Sequence, residues 1–406
     1  MGGIPFRKNW LLYAVGFLYF AVSNLSRMFE LAGVPREAMY VLFLAFLAFY
    51  FAKNLRSIGW LDLAYYAVVA PLTLRGLLNY ATYIQSRASV LSVLILYLPA
   101  YLFFRLFARH EDILSKCVTA AGWYAALYLL PYYVFFVRGQ LSYSMQYAYW
   151  VSFPVCMLVY RFFETKRWGG LVLAAVLYAT LVLSGCRGAL LLTTLFCLFA
   201  SLDAARRYHW RWTSGRMLCL LGGIAVLVVL AASLDSILAF LEKFSGVSRN
   251  IRKLFEGNYL ESSARTSIYQ VCQELISARP GGYGPLASRR LLLGFNYPHS
   301  LWYELQLDYG PLCGILLFCG LVVISVCNVL AYRNTKLSFM VSYLAIVGLG
   351  SMMFSSSYYY EMHVPAMCGL FVLRQTDARR LRPRGAAVPI AGPPPAATGR
   401  NLTHAR

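Results

Sequence analysis

Residues 171–202 read LVLAAVLYATLVLSGCRGALLLTTLFCLFASL: two apolar runs parted only by Ser184-Gly185-Cys186-Arg187-Gly188. A helix that crosses a bilayer needs about 20 mainly apolar residues. The stretch therefore reads as two membrane crossings joined by a tight turn, with an arginine held at the edge of the hydrocarbon. Working outward, the same pattern recurs. Twelve spans are expected, near 10–24, 38–52, 59–79, 90–108, 115–137, 148–163, 169–185, 188–205, 217–234, 310–332, 338–354 and 363–374, the last short enough for a half-crossing. With 60% hydrophobic and 13% charged residues, the 406-residue chain lacks the polar side chains that a soluble surface of this size requires. The expected fold is an all-α polytopic membrane protein, with residues 1–374 as a single transmembrane domain.

The net charge of +21 resembles a polyanion-binding signature until its distribution is considered. If Arg7 and Lys8 are cytoplasmic, most basic residues fall on that side, including Lys53, Arg56, Lys166, Arg167, Arg206, Arg207 and the arginines of the tail. That is the positive-inside bias of a membrane protein, and nucleic-acid binding is excluded. Both termini are then cytoplasmic. The first apolar run lacks a small-x-small site after it and reads as a signal anchor. Residues 375–406, rich in arginine and proline, read as a basic disordered tail. The ten cysteines show no CxxC or zinc-like spacing and read as small apolar residues.

One large loop, residues 235–309, lies on the outer face, and function is sought there. Within it ESSARTSIYQVCQELISARPGG predicts a helix with Ser262 or Ser263 as its cap and Gly281-Gly282 as its stop. At about 100° per residue, Arg265 shares the stripe of Tyr269, Cys272 and Ile276. A guanidinium on that face calls for an anion, whether a carboxylate of the loop or a ligand. The next segment, NYPHSLWYELQLDYGPLCG, predicts a second helix after Asn296 and Pro298, with His299 in its first turn and Tyr303 and Gln306 on the same face. The helix dipole favours a neutral imidazole there, suited to accepting a proton; a hydrogen-bonded interfacial histidine is the plainer alternative. Glu304 points away, as a solvated or orienting residue. Arg187 in the tight turn suits either lipid-phosphate anchoring or ligand binding. Arg75, near the outer end of the third span, is a weaker candidate and the only clear intramembrane charge. The stretch SSSYYYEMH, with Tyr358, Tyr359, Tyr360, Glu361 and His363, reads as an aromatic belt.

Together these residues predict group transfer from a lipid-linked diphosphate to an alcohol. Arginine forks hold the leaving diphosphate and His299 removes the hydroxyl proton. The scheme needs neither metal nor other cofactor, and the sequence has no DxD.

The turn Ser184–Leu190, then Arg265-Thr266-Ser267-Ile268-Tyr269, Pro280-Gly281-Gly282-Tyr283-Gly284, and His299-Ser300 followed by Gly310 resemble the bacterial O-antigen ligase and O-antigen polymerase superfamily. The likeness covers about residues 170–330. It implies a C-type glycosyltransferase fold of about a dozen spans in the bacterial inner membrane, with a large periplasmic loop and the active site facing the periplasm. It implies an undecaprenyl-diphosphate-linked glycan as donor and, for ligases, the lipid A core as acceptor. By motif, Arg187 and Arg265 would hold the diphosphate and His299 would be the base, with Arg75, Tyr269 and Tyr303 as further substrate-binding candidates. The chain departs from the usual pattern at Ser300, where asparagine is common, and at Cys313, which shifts the second glycine to Gly314. O-antigen ligase is the favoured reading. A polymerase using a lipid-linked repeat as acceptor, a protein O-oligosaccharyltransferase and a lipid-linked glycan flippase or transporter are the alternatives.

Overall fold

The computed structural model describes residues 6–80, 83, 90, 93–137, 145–184, 186–207, 265–292, 297–359 and 361–381. The expected span 217–234, the first part of the loop to residue 264 with Ser262 and Ser263, Gly185, Asn296, Tyr360 and the tail from 382 lie outside the described residues. All regular structure among the described residues is helical. In chain order the helices are α1 (Phe6–Leu31), α2 (Arg36–Lys53), α3 (Trp60–Tyr80), α4 (Leu98–Phe107), α5 (Glu111–Tyr132), α6 (Met145–Thr165), α7 (Trp168–Leu183) and α8 (Arg187–Arg207). They continue with α9 (Arg265–Ala278), α10 (Ser288–Leu291), α11 (Leu301–Tyr309), α12 (Pro311–Tyr332), α13 (Ser338–Tyr343), α14 (Leu349–Phe354) and α15 (His363–Leu381).

Five of these stretches are long and apolar enough to cross a membrane: Asn9–Leu31, Trp60–Tyr80, Glu111–Phe135, Arg187–Arg207 and Pro311–Tyr332. Shorter apolar helices cover Val93–Phe107, Trp168–Leu183 and Ser338–Phe354. Helix α12 carries no charged residue, yet Leu312, Leu316, Val323, Val326 and Leu330 are exposed along it. An apolar surface of that kind belongs in lipid, where exposing it costs nothing.

The main core is aromatic. Helix α1 packs on α2 and α5, α6 on α7 and α8, and α4 on α15. Tyr19 of α1 stacks on Phe103 of α4 with ring centroids 3.9 Å apart, and Phe43, Phe104 and Phe107 are fully buried around them. Each such ring contributes about 2–3 kcal/mol of burial in a water-based reckoning. Two smaller clusters enclose α11. Leu77, Tyr97, Leu286, Leu301 and Leu305 form one with Tyr358 and Tyr359, and Ile268, Cys272, Leu292 and Leu307 form the other.

The buried charges of the helices lie elsewhere than Arg75. Arg75 is exposed, whereas Asp62 of α3 and Arg105 of α4 are buried and paired at 3.5 Å, with the Tyr101 hydroxyl donating to Asp62 at 2.9 Å. Asp203 of α8 is also buried, between Arg207 at 2.5 Å and Arg333 at 2.9 Å. Each charge lies about one turn or less from a helix end, where a hydropathy window averages it away.

Glycine fixes how α11 meets α12. Gly310 has φ +83, and a Cβ there would stand 2.1 Å from the Pro280 carbonyl oxygen. The Pro280-Gly281-Gly282 turn can therefore lie directly on the α11–α12 junction, where Tyr283 N–H donates to Leu307 O at 2.8 Å and Gly284 N–H to Asp308 O at 2.9 Å. One turn later, a Cβ on Gly314 would meet the Gln306 backbone at 2.7 Å, so the glycine serves close helix approach from this position while Cys313 faces outward.

Candidate active site

Arg187 is the first residue of α8, directly after the α7 turn, and Arg265 is the first described residue of α9. The N-terminus of α8 carries partial positive charge, so the Arg187 guanidinium adds to a field that favours an anion. Burial raises the Cys186 thiol above the ordinary range, and the Ala189 and Gly188 amides, then Arg265 and Arg187, oppose the rise. Gly188 leaves room for Tyr149, whose hydroxyl would lie 2.9 Å from an added Cβ.

Helix α9 presents the expected stripe. Ile268 and Cys272 are buried, Arg265 and Tyr269 half-buried, and Arg265 lies within hydrogen-bonding reach of the Tyr269 phenol. Tyr269 stacks on Tyr303 of α11 with ring centroids 4.8 Å apart and planes 25° from parallel. Gln273 Nε2 donates to the Tyr303 hydroxyl at 3.1 Å, which fixes that ring. Gln306 turns back to the Trp302 carbonyl at 3.1 Å.

His299 does not occupy the first turn of α11, as the sequence pattern predicted. The helix begins at Leu301 with Ser300 as its N-cap, and His299 stands before it with φ +53. A left-handed backbone at a branched ring side chain costs about 1 kcal/mol or more and persists where surrounding packing enforces it. The enforcing contacts are visible. Tyr297 places its ring 4.2 Å from the imidazole and donates its hydroxyl to Ser355 O at 2.5 Å. The Arg289 guanidinium lies 4.7 Å over the other part of this assembly, the Tyr297 ring.

The imidazole Nδ1 is buried without a hydrogen-bond partner among the described residues. Burial, then Arg265, then Arg289 disfavour the imidazolium and push the pKa of His299 from 6.5 down to about 4. The ring is thus neutral at physiological pH, as expected, although burial and two guanidiniums produce the effect rather than the α11 dipole. The charge of Arg265 is felt both at Cys186 and at His299.

Below this surface lies a network that sequence reasoning missed. Glu304 is buried, not solvated: its Oε1 stands 3.8 Å from Arg289 Nη2 and accepts from Ser357 Oγ at 2.5 Å. Burial raises its carboxyl, and Arg289 opposes that rise. One turn on, burial first and Glu304 next push the Asp308 carboxyl well above the ordinary carboxylate range. The Tyr358 hydroxyl donates to Asp308 Oδ2 at 2.8 Å, and Tyr309 and Tyr359 join hydroxyls at 2.9 Å. Tyr358 and Tyr359 are therefore buried supports of α11 rather than an aromatic belt. No sequence pattern singled out Arg289. The spacing of Glu304, five residues after His299, was the available hint. Arg75 lines a different cleft, together with Arg279 and Asp308.

Residues 170–319 match the O-antigen ligase family. The matched stretch spans the α7–α8 turn, α9, the Pro280 turn, His299, α11 and the glycines that seat α12, and it supports the O-antigen ligase and polymerase superfamily read from the motifs. Members are glycosyltransferase-like enzymes, and the family implies lipid-linked glycan substrates in a membrane setting. Comparison with curated proteins gives no match.

Proposed function

We propose that the chain is an O-antigen ligase of the bacterial inner membrane, with about twelve spans, cytoplasmic termini and a site facing the periplasm. It takes an undecaprenyl-diphosphate-linked glycan as donor and a sugar hydroxyl of the lipid A core as acceptor. The observation that carries this reading is the neutral, unpartnered imidazole of His299, set in a left-handed backbone beside Arg265. In the reaction, the acceptor oxygen attacks the anomeric carbon while His299 takes the hydroxyl proton. The bond from that carbon to the diphosphate oxygen breaks, and the departing charge passes to Arg187 and Arg265. Tyr269 and Tyr303 supply a stacked aromatic wall for a sugar face. Arg289, Tyr297 and Glu304 act through His299, as positioning residues. The residues of this scheme call for no metal or cofactor.

The test is a lipopolysaccharide gel from a strain lacking the gene, complemented with the wild-type chain or with His299→Asn, alongside a blot for carrier-linked glycan. Loss of all bands above the core, with glycan accumulating on its carrier and no rescue by the variant, is the expected result. A surviving band of core plus one repeat would identify a polymerase instead. An unchanged ladder would turn attention to protein glycosylation or transport.

A further inference from the structure

Helix α5 carries two rows of side chains spaced four residues apart. Tyr124, Tyr128 and Tyr132 form one, and Leu127, Pro131 and Phe135, running on past the helix end, form the other. Rows at this spacing stand as ridges on a helix, and a groove runs between them. With Met28 of α1 they enclose a cleft of 370 Å³, within the range of about 300–1,000 Å³ usual for ligand sites, and its surface is almost entirely carbon. From Tyr124 to Phe135, at about 1.5 Å per residue, it extends roughly 17 Å along the helix axis.

The tyrosine ridge is fixed in place. The Tyr124 and Tyr128 rings lie 6.1 Å apart and 7° from parallel, the Tyr128 and Tyr132 rings 5.6 Å apart, and the Tyr124 hydroxyl donates to the Met28 sulfur at 3.9 Å. The three tyrosines descend about 12 Å along α5, whereas a belt of interfacial tyrosines keeps to one level. Arg27 of α1 stands at the Tyr132 end. Its guanidinium lies 3.8 Å over the Trp150 ring of α6 and within hydrogen-bonding reach of the Tyr132 phenol. It is half-buried, and no carboxylate among the described residues pairs with it; the neighbouring Glu30 is taken by Arg36. Trp150 and Tyr132 orient this cation without neutralising it, and a guanidinium at the edge of an apolar groove calls for an anion.

We propose that the groove holds one chain of an anionic phospholipid, with the headgroup phosphate on Arg27. The apolar length takes the chain, and the unneutralised guanidinium selects the charge. One fork suits the single phosphate of such a lipid, whereas a diphosphate calls for two. Tyr149 and Trp150 are neighbours on α6, about 100° apart, and face Gly188 and Arg27 respectively. Helix α6 therefore stands between the groove and the Arg187 turn, and the lipid site does not rest on the transferase reading.

The experiment titrates the full chain in dodecyl maltoside with dioleoyl phosphatidylglycerol or dioleoyl phosphatidylcholine, with retained lipid counted by native mass spectrometry. Phosphatidylglycerol is expected to bind about tenfold more tightly, and Arg27→Gln to bring it within about twofold of phosphatidylcholine. Leu127→Trp, which fills the groove from an exposed position, is expected to weaken both lipids about tenfold. Arg56→Gln, which removes an exposed cation elsewhere, is expected to leave the preference unchanged. Equal affinity for the two lipids, a preference that survives Arg27→Gln or falls as far with Arg56→Gln, or indifference to Leu127→Trp would overturn the proposal. So would displacement of phosphatidylglycerol by an equal concentration of undecaprenyl phosphate, which would assign the groove to a carrier lipid.

Discussion

The two ends of α8 both gather arginines, and they do so in opposite ways. At the C-terminal end, Asp203 has both carboxylate oxygens taken, one by Arg207 and one by Arg333, and Arg207 also reaches Ser338 Oγ at 2.5 Å. Cations there also agree with the helix dipole. At the N-terminal end, Arg187 opposes the dipole, Arg265 adds to the same positive field, and the nearby imidazole keeps a buried nitrogen without a partner. Some 21 residues of helix, roughly 30 Å, separate a carboxylate with both oxygens engaged from a region where an imidazole nitrogen has no partner among the described residues. Completeness is the mark of a structural pair, and a remaining open valence is what binding and catalysis require.

The comparison breaks first at His299. His299→Asn, chosen because asparagine tolerates the left-handed backbone, is expected to lower glycan transfer by about 10²–10⁴-fold with an unchanged melting temperature. Retained transfer in purified membranes would remove the histidine from the mechanism. Next, Arg265→Gln is expected to lower kcat by about 10²–10³-fold, as loss of one donor to a leaving anion does, and Arg265→Lys to recover little because the fork is lost.

Much of this was legible in the sequence. The apolar runs gave the helices, the Pro280 turn gave the end of α9, and a 100° spacing put Arg265 with Tyr269 and Cys272. Gly310 and Pro311 marked the start of α12. What escaped was long-range. Arg289, Glu304 and Ser357 lie far apart in the chain and meet only because α11 is wrapped by the segment after α14. The Asp62–Arg105 pair was hidden for the same reason, since neither residue reveals its partner. His299 was placed one turn too far along because Asn296 and Pro298 look like a helix start, while Ser300 is the residue that caps.

The closed end of α8 should respond in stability rather than rate. Asp203→Asn leaves Arg207 and Arg333 facing each other without their carboxylate. A loss of about 1–3 kcal/mol is expected, seen as a lower melting temperature, with transfer per folded molecule preserved. A fall in specific activity at constant stability would mean that the two ends are coupled.

The smallest expected effect is also the most specific. In the free protein, burial and the Arg265 and Arg289 guanidiniums lower the His299 pKa to about 4, so the neutral base persists well below the ordinary 6.5. The acid limb of kcat/KM, which reports the free enzyme, should therefore have its midpoint near 4. A bound diphosphate places negative charge against the same guanidiniums and relieves the imidazolium of their repulsion. The acid limb of kcat, which reports the donor complex, should accordingly lie at higher pH than that of kcat/KM. Arg265→Gln removes one of the two cations, so it should raise the kcat/KM midpoint and shrink the gap between the two profiles. The base is then weak until the donor arrives, and the same arginines that hold the leaving group set its strength. A kcat/KM midpoint at 6.5, unmoved by Arg265→Gln, would show a solvated histidine and dissolve the contrast between the two ends of α8.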